Sequence, residues 1–188
     1  MERRETTSAR ARAVLAAAQR ILDEEGRDAL TMRRLAAEVG IRAPSLYRHF
    51  PDKAAVEAAL IDAGFVALTE AFVRAMREHG ATLPALATAY RAFARASPDR
   101  YRLMTGGPLP RARLAPGIEA AAATPLLQVC GDPDLARAAW AFAHGMTILE
   151  LDGRFPAEAD LEAAWQRGIA ALDAAIAAAR SPTGASEP

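Results

Sequence analysis

The chain of 188 residues has one cysteine, one lysine and few aromatic residues, which make up 6% of it. A single cysteine, Cys130, excludes an internal disulfide or a zinc site built from cysteines, and predicts a buried free thiol. The sequence has no run of about 18 apolar residues, so it predicts no membrane-spanning helix. Its charged start is followed by no apolar stretch, which is unlike a signal peptide. We therefore expect a cytoplasmic protein.

Alanine is abundant and supplies 48 residues. It is the best helix former and a poor strand former, so the composition predicts an all-α fold. Hydrophobic residues make up 52% of the chain and charged residues 24%, which is ordinary for a globular protein and excludes a disordered one.

The charges sum to zero but are unevenly placed. Residues 1–55 hold 11 basic and 8 acidic side chains, a net charge of +3, and the remaining residues carry a net charge of −3. Five basic residues fall within 21 positions: Arg33, Arg34, Arg42, Arg48 and Lys53. This pattern predicts a basic, phosphate-binding module joined to an acidic body.

Apolar periodicity and capping residues predict about nine helices. The first carries one apolar stripe that includes Val14, Ile21 and Leu22. We expect the tail, residues 181–188, to be disordered. The predicted helices cover residues 8–25, 32–39, 43–50, 53–79, 83–96, 98–105, 117–129, 134–152 and 158–179.

Residues 31–53 have the pattern of a helix-turn-helix motif. Thr31 can cap the first helix, Gly40 can form the turn, and the second helix can then enter a major groove about 12 Å wide. Tyr47, His49 and Lys53 suit phosphate oxygens, although Tyr47 could instead be a half-buried core residue and His49 a helix C-terminal residue. The short side chains of this second helix permit close approach to the bases, and its arginines can donate to guanine or phosphate. Its outward residues are Arg42, Ala43, Pro44, Ser45, Tyr47, Arg48 and His49.

The run from Leu30 to Lys53, and within it Leu46-Tyr47-x-His49-Phe50-x-x-Lys53, resembles the N-terminal DNA-binding domain of the TetR family of transcriptional repressors. The resemblance implies a homodimer with a three-helix DNA-binding domain (residues 1–53) and a helical ligand-binding and dimerisation domain (residues 54–180). It also implies roles for individual residues: Tyr47, His49 and Lys53 on phosphates, Thr31 and Arg33 anchoring the first helix of the motif, and Arg42, Pro44, Ser45 and Arg48 nearest the bases.

A second resemblance covers residues 140–151. Trp140 and His144-Gly145 are similar to a stretch that defines one C-terminal subgroup of the family, although Ala143 stands where that subgroup often has a tryptophan. His144 and Glu150 are six residues apart, which is not the i, i+4 spacing of a metal-binding helix, so we predict no metal site and no cofactor.

Apolar and aromatic side chains of the C-terminal part could line an effector cavity or could be core. Because few charged residues lie among them, we expect a small apolar or aromatic effector. The candidate pocket residues are Phe72, Met76, Tyr90, Phe93, Tyr101, Met104, Trp140, Phe142 and His144.

The last helix is the best candidate for a dimer interface, because its apolar residues are spaced close to a coiled-coil seam. Paired with the preceding helix from each subunit, it would form a four-helix interface. Packing within one chain is the alternative. The candidate interface residues are Phe142, Met146, Leu149, Leu161, Trp165, Gly168, Leu172 and Ile176.

The sequence thus predicts a dimeric, ligand-responsive repressor of a pseudo-palindromic operator, and not an enzyme; activation instead of repression stays open. Helix 53–79 would be the only covalent link between the domains. The alternative is an all-α small-molecule carrier or enzyme that uses the same cavity. Two features argue against this alternative: the whole chain has only three histidines, and no candidate nucleophile lies beside a candidate base. A pure interaction scaffold would leave the cationic cluster at residues 42–53 unexplained.

Overall fold

The computed structural model describes residues 9–180, which form nine α-helices and one short 3₁₀ turn, Arg111–Arg113. The all-α prediction is confirmed, and the observed helix ends lie within three residues of the predicted ones. The predicted disordered tail, residues 181–188, lies outside the described residues. The helices are α1 (Ala9–Glu25), α2 (Met32–Val39), α3 (Ala43–Tyr47), α4 (Lys53–His79), α5 (Leu83–Ala96), α6 (Pro98–Thr105), α7 (Ile118–Cys130), α8 (Pro133–Leu151) and α9 (Leu161–Arg180).

The chain divides into two compact units. Among the described residues, unit 1 comprises 9–67 together with 97–118, and unit 2 comprises 68–96 together with 119–180. The chain therefore passes between the units three times, where the sequence predicted a single link through the helix 53–79. The functional division at residue 53 stays a prediction. Among the described helices, none combines the length and apolar character needed to span a bilayer.

Unit 1 is built on the apolar face of α1. Val14, Ile21 and Leu22 on this face are fully buried, as the sequence predicted. Helix α1 packs against α2 and α6, and α2 packs against α3. Leu35 of α2 and Leu46 of α3 complete the core. The helix-turn-helix segment is therefore a short extension of the α1 core.

In unit 2, Arg91 forms two ion pairs that link α5 to α8 and to α9. Arg91 of α5 donates to both carboxylate oxygens of Glu150 on α8, at 2.9 and 3.0 Å, and to Glu162 of α9 at 2.8 Å. The same guanidinium lies 5.4 Å from the centre of the Trp165 ring, whose indole N–H donates to Glu150 at 3.4 Å. Burial raises the pKa of Glu150, but the hydrogen bonds and the positive charge of Arg91, together with the Trp165 N–H and Arg95, outweigh burial and hold that pKa below its ordinary value.

Close packing between α8 and α9 depends on Gly168. The Phe142 ring meets the Trp165 ring edge to face, with centroids 5.7 Å apart and planes at 79°. The same Phe142 ring lies directly over Gly168, so close that a Cβ atom there would overlap it. The glycine therefore serves a contact within one chain.

We predict that Gly168→Ala destabilises the protein. Alanine favours the helix by up to about 1 kcal/mol, but the overlap with Phe142 costs about 1–3 kcal/mol. Urea unfolding would measure the net loss. Phe142→Leu in the Gly168→Ala background should recover part of it, because the shorter side chain leaves room for the methyl group. Equal stability of Gly168→Ala and the parent would contradict the packing described.

Candidate DNA-binding surface

The turn between α2 and α3 has the geometry of a helix-turn-helix motif. Thr31 caps α2, its hydroxyl accepting from the backbone N–H of Arg34 at 3.1 Å. Gly40 ends α2 in the left-handed conformation, with φ at 68°, and the N–H of Ile41 then donates to Ala36 O at 3.0 Å. Pro44 lies in the first turn of α3, where its missing N–H costs no hydrogen bond. The chain thus reverses within three residues and presents α3 outward.

The ten residues predicted to bind DNA all lie in unit 1. Tyr47, which the sequence left open as a possible core residue, has 49% of its surface exposed, whereas its neighbours Leu46 and Phe50 are buried. Ser45, His49 and Lys53 are partly exposed. The exposed members are Thr31, Arg33, Arg42, Ala43, Pro44, Tyr47 and Arg48.

Two of the predicted DNA-binding cations are held by neighbouring groups. The Lys53 ammonium donates to Arg27 O at 3.0 Å and lies 3.7 Å from Glu57. Arg27 itself makes two 3.0 Å hydrogen bonds to Glu57. The Arg48 guanidinium donates to the Ser45 hydroxyl at 3.1 Å. These hydrogen bonds restrain both cationic side chains in the unbound protein.

Arg34 has a structural role. Its guanidinium bonds Glu25 at 2.6 Å and Glu38 at 2.7 Å, and Arg20 bonds the other oxygen of Glu38 at 3.2 Å. These hydrogen bonds hold the pKa of Glu38 below its ordinary value. Arg20 and Arg34 therefore link α1 to α2, and their two positive charges are balanced by Glu25 and Glu38.

An ion pair that the sequence did not reveal lies at the start of α4. Asp52 accepts from the backbone N–H of Ala55 at 2.7 Å and so caps the helix. Arg113 donates to both oxygens of Asp52, at 2.9 and 3.1 Å. The Ala55 N–H and the Arg113 guanidinium together lower the pKa of Asp52. Asp52 and Arg113 are 61 residues apart in the sequence, so no local sequence pattern predicts their ion pair.

The structure does not bring the predicted effector-pocket residues together within one unit. Tyr101 and Met104 are buried in unit 1, whereas the other seven belong to unit 2. In unit 2, Phe72 stacks on Tyr90 at 6.4 Å and Trp140 on His144 at 6.0 Å, while Phe142 packs on Trp165. A groove of about 260 Å³ between α5 and α9 is lined by other residues, among them Arg91, Arg95 and Glu162. The pocket assignment stays a prediction.

The predicted interface residues differ in how much surface they offer. Trp165 and Ile176 are only 5% and 2% exposed in a single chain, so a partner could bury little more of them. Leu149 is exposed, whereas Phe142, Met146, Leu161, Gly168 and Leu172 are partly exposed. The open face of α9 carries alanines instead: Ala164, Ala171, Ala175 and Ala178.

Cys130 is buried and free, as the sequence predicted, and burial raises the pKa of its thiol. Among residues 9–180, the structure gathers no group of three or more His, Cys, Asp or Glu side chains that could hold a metal ion.

Comparison with known proteins supports the motif. Residues 14–60 match the family model described as bacterial regulatory proteins, tetR family, and residues 83–172 match the tetracyclin repressor-like C-terminal domain. The HTH-type transcriptional regulator Rv0681 of Mycobacterium tuberculosis is 32% identical over 148 residues, which cover 70% of this chain and 66% of that protein.

Two further relatives agree. The class D tetracycline repressor protein of Escherichia coli is 36% identical over 89 residues, 47% of this chain and 36% of the repressor. The crystal structure of the regulatory protein SCO4313 is 25% identical, with a TM-score of 0.72 over 92% of this chain and 98% of that one.

The fold and the α2–α3 turn define a helix-turn-helix DNA-binding protein. The two family models match in the order that the sequence predicted, with the DNA-binding domain first. The chain belongs to the TetR family of transcriptional regulators. The resemblance stated from Leu30 to Lys53 is confirmed. The subgroup indicated by Trp140 and His144-Gly145 stays a prediction.

We predict that His144 makes the protein less stable in mild acid. Burial lowers the pKa of His144 below its ordinary value of about 6.5. Below pH 6.5 the unfolded chain therefore binds a proton that the folded chain does not. As the pH is lowered, the free energy of unfolding decreases by at most about 1.4 kcal/mol per pH unit. Urea unfolding at several pH values between 7.5 and 5.5 would measure this slope.

The slope should flatten in His144→Gln and persist in His79→Gln, because the His79 side chain is 69% exposed. A slope unchanged by His144→Gln would assign it to another group.

Proposed function

We propose that this protein is a ligand-responsive transcriptional repressor that binds a pseudo-palindromic operator as a homodimer. The observation that carries the proposal is the exposure of Tyr47 at the end of α3 and of Arg48 directly after it, with Lys53 five residues further on at the start of α4. A protein that acts on operator DNA works in the bacterial cytoplasm.

In this proposal α3 enters the major groove. The short side chains of Ala43, Pro44 and Ser45 allow the helix to approach the base edges, and Arg42 and Arg48 can donate to guanine. Tyr47, His49 and Lys53 bind phosphates on either side, and Thr31 and Arg33 position α2. In a dimer, half-sites one turn apart would be about 34–36 Å from centre to centre.

The open faces of α8 and α9 support dimerisation. The exposed alanines Ala164, Ala171, Ala175 and Ala178 follow one another at intervals of seven, four and three residues, as along a coiled-coil seam, whereas Gly168 contacts Phe142 of its own chain. On α8, no Asp, Glu, Lys or Arg occurs between Ala138 and Leu149, and Trp140 and Leu149 are exposed. Two such helix pairs fit the four-helix interface that the sequence pattern predicted, with alanines in place of Trp165 and Ile176 at its centre.

The effector would act on unit 2. Its buried Phe72–Tyr90 pair suits a small apolar or aromatic compound, and two of the relatives are tetracycline repressors by name. Binding can release the operator only if the effector prefers the state of the dimer that fits DNA less well. An all-α carrier or enzyme could use the same aromatic residues, but it would give no role to Arg42 and Arg48, the exposed cations on either side of α3.

We predict that Tyr47→Ala and Arg48→Ala each weaken operator binding about tenfold or more, because each removes a DNA contact worth about 1–3 kcal/mol. An electrophoretic shift at fixed salt, with the DNA flanking the protein's own gene, would measure the change. Arg77→Ala removes an exposed arginine from the last turn of α4 and should bind as the parent does. Unchanged binding by both α3 variants would refute the placement of this helix on DNA.

We predict that Ala171→Glu converts the dimer to a monomer, because four-helix packing would bury the new carboxylates without partners. Light scattering after size exclusion would give the mass. Ala170→Glu puts the same charge on a neighbouring exposed position outside the seam and should leave the dimer intact. A dimer that tolerates Ala171→Glu but dissociates with Ala170→Glu would place the interface on another face of α9.

A further inference from the structure

The Asp52–Arg113 ion pair lies at the edge of the candidate DNA-binding surface. Asp52 immediately precedes Lys53, and Tyr47 lies five residues before it. Both side chains of the pair are 47% exposed, so their charges face water and act on whatever approaches that edge. The pair therefore belongs to the electrostatics of DNA binding as well as to the fold.

Asp52 on its own would oppose DNA. A carboxylate next to a phosphate-binding lysine repels the same phosphate, and at physiological salt charges within about 8 Å still interact. The carboxylate has a separate task, since its oxygen caps α4 through the Ala55 N–H. The negative charge of Asp52 therefore stabilises the start of α4 but weakens the attraction of this surface for phosphates.

Arg113 cancels that charge from a distant part of the sequence. It ends the 3₁₀ turn between α6 and α7, where its N–H donates to Pro110 O at 2.8 Å. Two residues later, the N–H of Ala115 bonds both oxygens of Asp62 on α4 at 3.1 Å. The backbone on each side of Arg113 is thus hydrogen-bonded within unit 1, which presents the guanidinium to Asp52.

We propose that Arg113 is a determinant of operator affinity outside the helix-turn-helix motif, and that it acts by neutralising Asp52. The inference rests on the proposed function and adds to it a positioning residue that does not itself touch DNA. The net charge of the pair, zero in the parent, sets how strongly this edge attracts phosphate.

The test compares four proteins on the same operator fragment: the parent, Arg113→Ala, Asp52→Asn and the double variant. A unit charge about 7 Å from a phosphate changes the binding constant about threefold, so Arg113→Ala should weaken a dimer about tenfold at low salt. Asp52→Asn keeps the cap, since asparagine caps helices as well as aspartate, and should bind at least as tightly as the parent. The double variant, again neutral at this edge, should return to the affinity of the parent.

Two controls separate charge from structure. Arg137→Ala removes one arginine from another exposed ion pair, with Asp134 on α8, and should leave operator affinity unchanged. Arg113→Ala should keep the unfolding temperature of the parent within about 2 °C, because exposed ion pairs contribute little to stability. Its binding defect should shrink as salt is raised.

The outcomes are distinct. If the double variant stays as weak as Arg113→Ala, the arginine contacts DNA directly and the neutralisation mechanism is wrong. If Tyr47→Ala weakens binding but Arg113→Ala does not, this inference fails while the proposed function stands. If Tyr47→Ala also binds as the parent does, both fail.

Discussion

The left-handed turn at Gly40 is the constraint on which the DNA-binding part of this protein depends. A backbone φ near 68° is strained for almost every residue other than glycine. The change of chain direction between α2 and α3 depends on this left-handed conformation at Gly40. Because Ile41 bonds back to Ala36, α3 starts at once, and Leu46 reaches the core that Leu35 and the α1 stripe form. The exposure of Tyr47 and Arg48 follows from that burial, since neighbouring residues on a short helix point in different directions.

Cations in unit 1 fall into two groups that composition cannot separate. Arg20, Arg27 and Arg34 bond carboxylates and hold helices together. Arg33, Arg42 and Arg48 are exposed on or beside the motif, and within the described residues none of them forms an ion pair with a carboxylate. A net charge of zero is therefore compatible with a basic surface, because the acidic residues neutralise the structural arginines first.

Much of the fold was predictable and the long-range contacts were not. Helix ends followed from local signals, such as Thr31 as a cap and Gly40 as a terminator, which act within a few residues. In α9, however, alanine is acceptable on every side, so periodicity could not decide whether Trp165 faces its own chain or a partner. The structure decides it through Arg91 and Phe142, which come from other helices. The Asp52–Arg113 pair escaped prediction for the same reason: both residues are ordinary surface charges until the fold brings them together.

The hydrogen bond from Lys53 to Arg27 O has a consequence for the energetics of recognition. A free lysine side chain loses about 2 kcal/mol of conformational freedom when it is immobilised, and a flexible lysine would lose it on meeting DNA. Here the ammonium already donates to the carbonyl of Arg27, two residues after α1, and lies 3.7 Å from Glu57, so part of that entropy is lost during folding. Under the proposed function, the one lysine of this arginine-rich chain is therefore partly ordered before it meets DNA, and Glu57 would compete with a phosphate for its ammonium group.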